Sequence, residues 1–193
     1  ELIVACLVGD GEAETGPTAA AWHLNKFIDP KINGAVLPIL HLNGYKISGP
    51  TIFGRMSDSE LNSLFTGYGY EPFIVDVTDS EEDPYEEMAE KLEWCYAKIQ
   101  DIQERAREGE KVEKPRFPMI ILRTPKGWTG IKKLHGEKIE GNSLSHQVPA
   151  KHAKDEIEDL SAIEGWLKSY EFDELFDEEN GFDEDILNIV PDG

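Results

Sequence analysis

Four short apolar runs, separated by stretches with helical periodicity, constrain this chain more than any other feature. Residues 2–8, 36–42, 73–77 and 119–123 are dominated by branched apolar side chains. Such runs read as strands buried on both faces, as in a parallel sheet covered by helices. Between the first two, residues 17–28 read as a helix, with Pro17 at a first-turn position where its missing N–H costs nothing. Ser57-Asp58-Ser59-Glu60 is a capping-box pattern opening a short helix that ends near Gly67. The clearest helix covers residues 84–108. Asp83 caps it, Tyr85, Met88, Leu92, Cys95, Ile99, Ile102 and Ala106 recur at spacings of three and four, and Gly109 stops it. Strands alternating with helices pair in parallel through right-handed crossovers. The expected fold class is α/β, an open, mainly parallel sheet with helices on both faces.

Charge narrows the partners. The 193 residues carry 39 acidic and 19 basic side chains, a formal net charge of −20. A surface that held nucleic acid or an anionic membrane would need a basic patch, so neither partner is expected. No apolar run approaches the roughly 20 residues a membrane-spanning helix requires. At 39 % hydrophobic residues the chain is too apolar to be a disordered polyanion. Cys6 and Cys95 both fall in apolar patterns and read as inert core thiols, which suits a reducing, cytoplasmic setting.

Beyond residue 123 the pattern changes. Residues 124–149 are loop-like, rich in Gly and Lys, and too long for an idle connection. A helix is expected over residues 159–170, so that residues 1–170 form one domain. The acidic stretch 171–193 reads as a linker leading to another domain. Glu1 runs directly into the first apolar strand without Met or leader, and the expectation is a piece of a longer polypeptide.

Ligands of open α/β sheets sit beyond the carboxyl ends of the strands. The first strand ends in Gly9-Asp10-Gly11-Glu12 and the second in His41-Leu42-Asn43-Gly44-Tyr45. Gly9 and Gly11 let the backbone approach a ligand, and the start of the following helix offers N–H groups to an anion. Asp10 would repel a bare phosphate unless a divalent cation lay between them. Mg²⁺ takes six oxygen ligands, only a few of them from protein. Asp10, Asn43 and a backbone carbonyl, with diphosphate oxygens and a water, would complete that set. A Gly-Asp-Gly turn without a ligand is the plain alternative.

The wider text resembles the phosphoketolases. The residues that carry the likeness are Gly9-Asp10-Gly11-Glu12-Ala13-Glu14-Thr15-Gly16-Pro17, Trp22-His23, Asn25-Lys26-Phe27, residues 37–47, Arg123-Thr124-Pro125-Lys126-Gly127-Trp128-Thr129 and His146-Gln147-Val148-Pro149. Transketolases and dehydrogenase E1 subunits share the bare Gly-Asp-Gly…Asn motif but not these flanks. The resemblance implies a thiamine diphosphate- and Mg²⁺-dependent enzyme that cleaves xylulose 5-phosphate, and often fructose 6-phosphate, with inorganic phosphate. The products are acetyl phosphate, water and an aldose phosphate.

By the same resemblance Asp10 and Asn43 bind Mg²⁺ through their side chains and Tyr45 through its carbonyl. Gly9, Gly11 and Glu12 meet the cofactor diphosphate. Lys126 and His146 match the loop lysine and histidine that reach the family's active site, where they hold cofactor or substrate oxygens and exchange protons. A homodimer through the cofactor interface is also implied. The family's pyrimidine-binding domain, which supplies the activating Glu, has no counterpart here, nor have its upstream active-site histidines. The isolated chain is therefore expected to be inactive. A transketolase, or a non-catalytic module of this fold, is the alternative.

Taken by themselves, Lys126 and His146 also read as solvated loop residues. His23 and His41 read as packing or supporting residues, and His135 and His152 lack context. Trp128 either covers the site or packs on the sheet. Glu12 and Glu14 receive no acid–base role.

Overall fold

The computed structural model describes residues 2–78, 83–146, 149–177, 179 and 181–190. The four apolar runs are strands, β1 (Ile3–Gly9), β2 (Ala35–Leu42), β3 (Tyr70–Asp76) and β4 (Phe117–Arg123). They form one all-parallel sheet in the order β1-β2-β4-β3, with helices around it. Registers align the strand ends. Gly9 pairs with His41, Leu42 with Arg123 and Asp76 with Arg123, so the loops that leave the sheet at residues 10, 43 and 124 start side by side.

Two strands are central and behave as expected. Leu40, Ile120 and Ile121 are fully buried, and Leu37 and Leu42 nearly so. The first strand departs from expectation because it lies at an edge of the sheet. Val4 and Leu7 are exposed, and Cys6 is exposed rather than a core thiol. An apolar run reports strand propensity but not strand order, which only the topology assigns. Cys95 lies in the core as expected, and burial pushes its thiol up to about 11.

The helices follow their sequence signals with one exception. A six-residue helix α2 (Gly16–Ala21) and a 3₁₀ turn at Leu24–Lys26 stand where one helix over residues 17–28 was expected, and a four-residue helix α1 (Asp10–Ala13) precedes them at the end of β1. The Trp22 indole N–H donates to the Ala13 carbonyl at 2.9 Å, which folds α2 back against the end of α1. Helix α3 (Asp58–Tyr68) opens with the reciprocal Ser57–Glu60 capping box, and Gly69 ends it in the left-handed conformation at φ 100°. Helix α4 (Pro84–Arg107) is capped by Asp83, whose carboxylate accepts from the Tyr85 N–H. It buries Cys95, Ile99, Ile102 and Ala106.

Phe65 and Leu61 of α3, Trp22 and Tyr70 share one core with Cys95, Ile99 and Ile102 of α4. The Trp22 and Phe65 rings meet edge-on with centroids 4.9 Å apart. Truncating Phe65 to Ala would cost about 3–5 kcal/mol.

Residues 124–149 are not a bare loop. They contain a small antiparallel hairpin, β5 (Lys133–Leu134) and β6 (Glu137–Lys138), and a 3₁₀ turn at Ser143–His146. Helix α5 (Ile157–Lys168) begins two residues before its expected start. Beyond residue 170 lie a short hairpin, β7 (Phe176–Asp177) with β8 (Gly181–Phe182), and a one-turn helix α6 (Glu184–Asn188). No helix among the described residues is long and apolar enough to cross a membrane.

Candidate functional site

The aligned strand ends create a hollow of about 320 Å³ at the tips of β1 and β2. Gly9, Asp10, Gly11 and Glu12 line it, together with Asn43, Tyr45, Lys46, Lys126 and His146. Every residue singled out in the sequence for metal, cofactor or catalysis thus faces one space. The motif residues Gln147 and Val148 lie outside the described residues.

Asp10 is the anchor. Its side chain is buried, with 1 % of the residue exposed, and it accepts hydrogen bonds from the Gly11 N–H at 3.0 Å, the Gly44 N–H at 2.8 Å and the Thr51 hydroxyl at 2.7 Å. Burying a carboxylate is costly unless donors compensate it. Here the hydrogen-bond donors are all neutral. The Asn43 side-chain oxygen accepts from the Tyr45 N–H at 3.0 Å, a local turn that holds Asn43 at the rim.

Lys126 reaches the hollow from the far side. It is 9 % exposed, and its ammonium donates to the Lys46 carbonyl at 3.0 Å and, at 3.5 Å, to the Tyr45 carbonyl. It is therefore a seated cation, not a solvated loop lysine. His146 is exposed where the 3₁₀ turn meets the hollow. His41 takes a supporting place. Its Nε2 lies 2.8 Å from the Thr124 hydroxyl, and burial lowers its pKa against the opposing pull of Asp10, with Lys126 reinforcing the decrease.

Several residues were not legible as part of this site. Thr51 is fully buried and hydrogen-bonds Asp10 from eight residues beyond Asn43. The signal was the Ser48-Gly49-Pro50 turn. The chain doubles back through it, with Lys46 N–H donating to the Gly49 carbonyl and Thr51 N–H to the Gly44 carbonyl. Gly54 completes the fold-back, since a Cβ there would stand 2.6 Å from the Gly44 Cα and 2.8 Å from the Thr51 hydroxyl oxygen.

Glu14 is structural. Its side chain is 2 % exposed, pairs with Lys46 at 2.9 Å, and accepts from the N–H groups of Ile52 and Phe53. It braces the same fold-back.

Two further expectations are settled nearby. Trp128 does not line the hollow and stacks instead on Tyr85 at the start of α4, with centroids 5.9 Å apart. His135, which lacked context in the sequence, places its Nε2 2.6 Å from the Asp159 carboxylate, while the His152 N–H donates to the other oxygen of Asp159. Glu156 completes a set of three ligand-type side chains. The 2.6 Å contact is that of a charge-assisted hydrogen bond, shorter than the spacing of two donors around a tetrahedral ion.

Comparison with known proteins agrees with the motif flanks. The family model described as XFP N-terminal domain matches residues 1–193. The chain is 50 % identical over 194 residues to a protein named "Probable phosphoketolase" from Bradyrhizobium diazoefficiens. Proteins of the same name from Gloeobacter violaceus and Synechococcus elongatus are each 52 % identical over 194 and 196 residues. All three alignments cover 100 % of this chain but 24 % of the relative, so the chain spans about a quarter of the relatives it matches. The chain belongs to the phosphoketolase family, as a representative of its XFP N-terminal domain.

Proposed function

We propose that this chain forms the diphosphate- and Mg²⁺-holding part of a phosphoketolase that uses thiamine diphosphate to cleave xylulose 5-phosphate, and fructose 6-phosphate, with inorganic phosphate. The products are acetyl phosphate, water and an aldose phosphate. The observation that carries this reading is the meeting of Asp10, Asn43 and Tyr45 around one hollow with Lys126 and His146.

The donor set suits the cation. A carboxylate, an amide oxygen and a backbone carbonyl are hard oxygen ligands, which favour Mg²⁺ over softer metals. A buried carboxylate bonded only by neutral donors leaves a negative charge for a ligand to answer. The Tyr45 carbonyl already attracts a cation, the Lys126 ammonium.

When bound, thiamine diphosphate supplies the carbanion-stabilising chemistry that breaks the ketose carbon–carbon bond. The protein's own part is to bind and orient. Asp10 and Asn43 grip the cation, and Tyr45 lends its carbonyl. Gly9, Gly11 and Glu12 line the hollow where the diphosphate would lie. A diphosphate there would meet this short stretch of backbone, since α1 has only four residues. Lys126 offers a positive charge to phosphate or substrate oxygens, and His146 holds or moves a proton at a substrate hydroxyl.

In this reading residues 1–170 are part of a diphosphate-binding domain and residues 171–193 lead to further chain. A pyrimidine-binding domain contributed across a homodimer supplies what is absent here, the setting is cytoplasmic, and the isolated chain makes no acetyl phosphate.

The test is an assay of the full-length polypeptide carrying this sequence. Acetyl phosphate formed from xylulose 5-phosphate only when inorganic phosphate, thiamine diphosphate and Mg²⁺ are all present supports the proposal. Transfer of a two-carbon unit to an aldose without phosphate would instead identify a transketolase.

A further inference from the structure

The residue that ties the two halves of the hollow together is one the sequence motif does not contain. Thr51 makes three bonds at once. Its N–H donates to the Gly44 carbonyl at 3.0 Å, its hydroxyl oxygen accepts from the Gly54 N–H at 3.0 Å, and its hydroxyl proton goes to Asp10 Oδ2 at 2.7 Å. Because the Gly54 N–H occupies an acceptor site on that oxygen, the hydroxyl is oriented, with its single proton on Asp10.

The Gly44 N–H, next to Asn43, donates to the same carboxylate oxygen at 2.8 Å. Oδ2 thus carries both bonds from the segment after β2, while Oδ1 receives the Gly11 N–H from its own helix. The Thr51 hydroxyl restrains rotation of the Asp10 carboxylate, while the backbone N–H of the same residue, on the Gly44 carbonyl, ties the Asn43–Tyr45 loop to it. Thr51 has no exposed surface, so water cannot take its place without rearrangement.

We propose that Thr51 is a positioning residue for the metal, setting the spacing between Asp10 and the Asn43–Tyr45 loop and so the affinity for Mg²⁺. This inference rests on the Mg²⁺ reading given above. It differs from a general packing role in what it predicts. A hydroxyl that supports a ligand oxygen controls metal affinity, commonly by about 10- to 100-fold. A packing residue would change thermal stability and leave the Mg²⁺ requirement alone.

The experiment compares Thr51→Val and Thr51→Ser in the full-length polypeptide. Thiamine diphosphate binding is followed by tryptophan fluorescence across a Mg²⁺ titration. Thr51→Val, which keeps the shape and loses the hydroxyl, is expected to raise the Mg²⁺ concentration for half-maximal binding by about tenfold or more. Cofactor affinity at saturating Mg²⁺ should stay within about threefold of the unaltered protein, and Thr51→Ser should restore the Mg²⁺ requirement.

An unchanged Mg²⁺ requirement in Thr51→Val, beside normal Mg²⁺-dependent binding by the unaltered protein, overturns the role of Thr51 alone. No Mg²⁺-dependent binding by the unaltered protein overturns the metal site itself and this inference with it. If circular dichroism shows that Thr51→Val does not fold, Thr51→Ala, which adds no bulk, is judged by the same outcomes.

Discussion

Asp10 and Asp159 are equally hidden from solvent, each 1 % exposed, yet their surroundings differ. Asp159 has its countercharge built in, with the His135 imidazole 2.6 Å away and the His152 N–H on the other oxygen. Asp10 is held by a hydroxyl and two backbone N–H groups, all neutral, and opens onto a hollow. One carboxylate completes an internal pair that fastens the β5–β6 hairpin to α5. The other is kept in place without being neutralised. Burial is the same for both acids, and the charge of their partners is what differs.

The sharpest way to break this contrast is to remove each charge in turn. Asp10→Asn keeps the volume and is expected to weaken Mg²⁺-dependent cofactor binding more than 100-fold, measured by calorimetry on the full-length polypeptide. Binding within threefold of the unaltered protein would make Asp10 another structural acid. Asp159→Asn should do the reverse, lowering the melting temperature by several degrees while shifting cofactor affinity less than threefold.

The pH response sharpens the contrast next. The pKa of His135 is raised, chiefly by its hydrogen bond to Asp159, with the nearby Glu158 and Glu156 carboxylates adding to it and partial desolvation opposing. A raised pKa means that the pair's stabilisation is fully present below the unfolded-state value near 6.5 and fades as pH rises through the folded-state value. Thermal melts from pH 5 to 9 should show that fading, and His135→Gln should flatten it. A profile that is the same in both proteins would remove His135 as the countercharge.

The smallest effect separates the cysteines. Cys6 on the edge strand should react with a thiol reagent in the native protein, whereas Cys95, with its raised pKa, should react only on unfolding. Protection of Cys6 in the full-length polypeptide would show that β1 is covered there.

Much of this was legible in the sequence because it is local. Apolar runs, the Ser57 capping box and the Asp83 cap depend on neighbours within a few residues, and the strands and helices follow them closely. The gathering of the candidate residues Asp10 and Asn43 at one hollow was legible because neighbouring strand ends in a parallel sheet lie side by side. What escaped depended on pairings distant along the chain. The Trp22 indole that folds α2 back, the edge position of β1, the Thr51 hydroxyl on Asp10 and the His135–Asp159 pair span 9 to 41 residues or depend on strand order, and no periodicity encodes them.

The close passage of residue 54 over residue 44 has a consequence for anyone diversifying this loop. With no room for even a methyl group between the two backbones, the segment works as a spacer one glycine thick. A randomised library across it would tolerate wide variety at the exposed Ser48. Its surviving members would all keep Gly54.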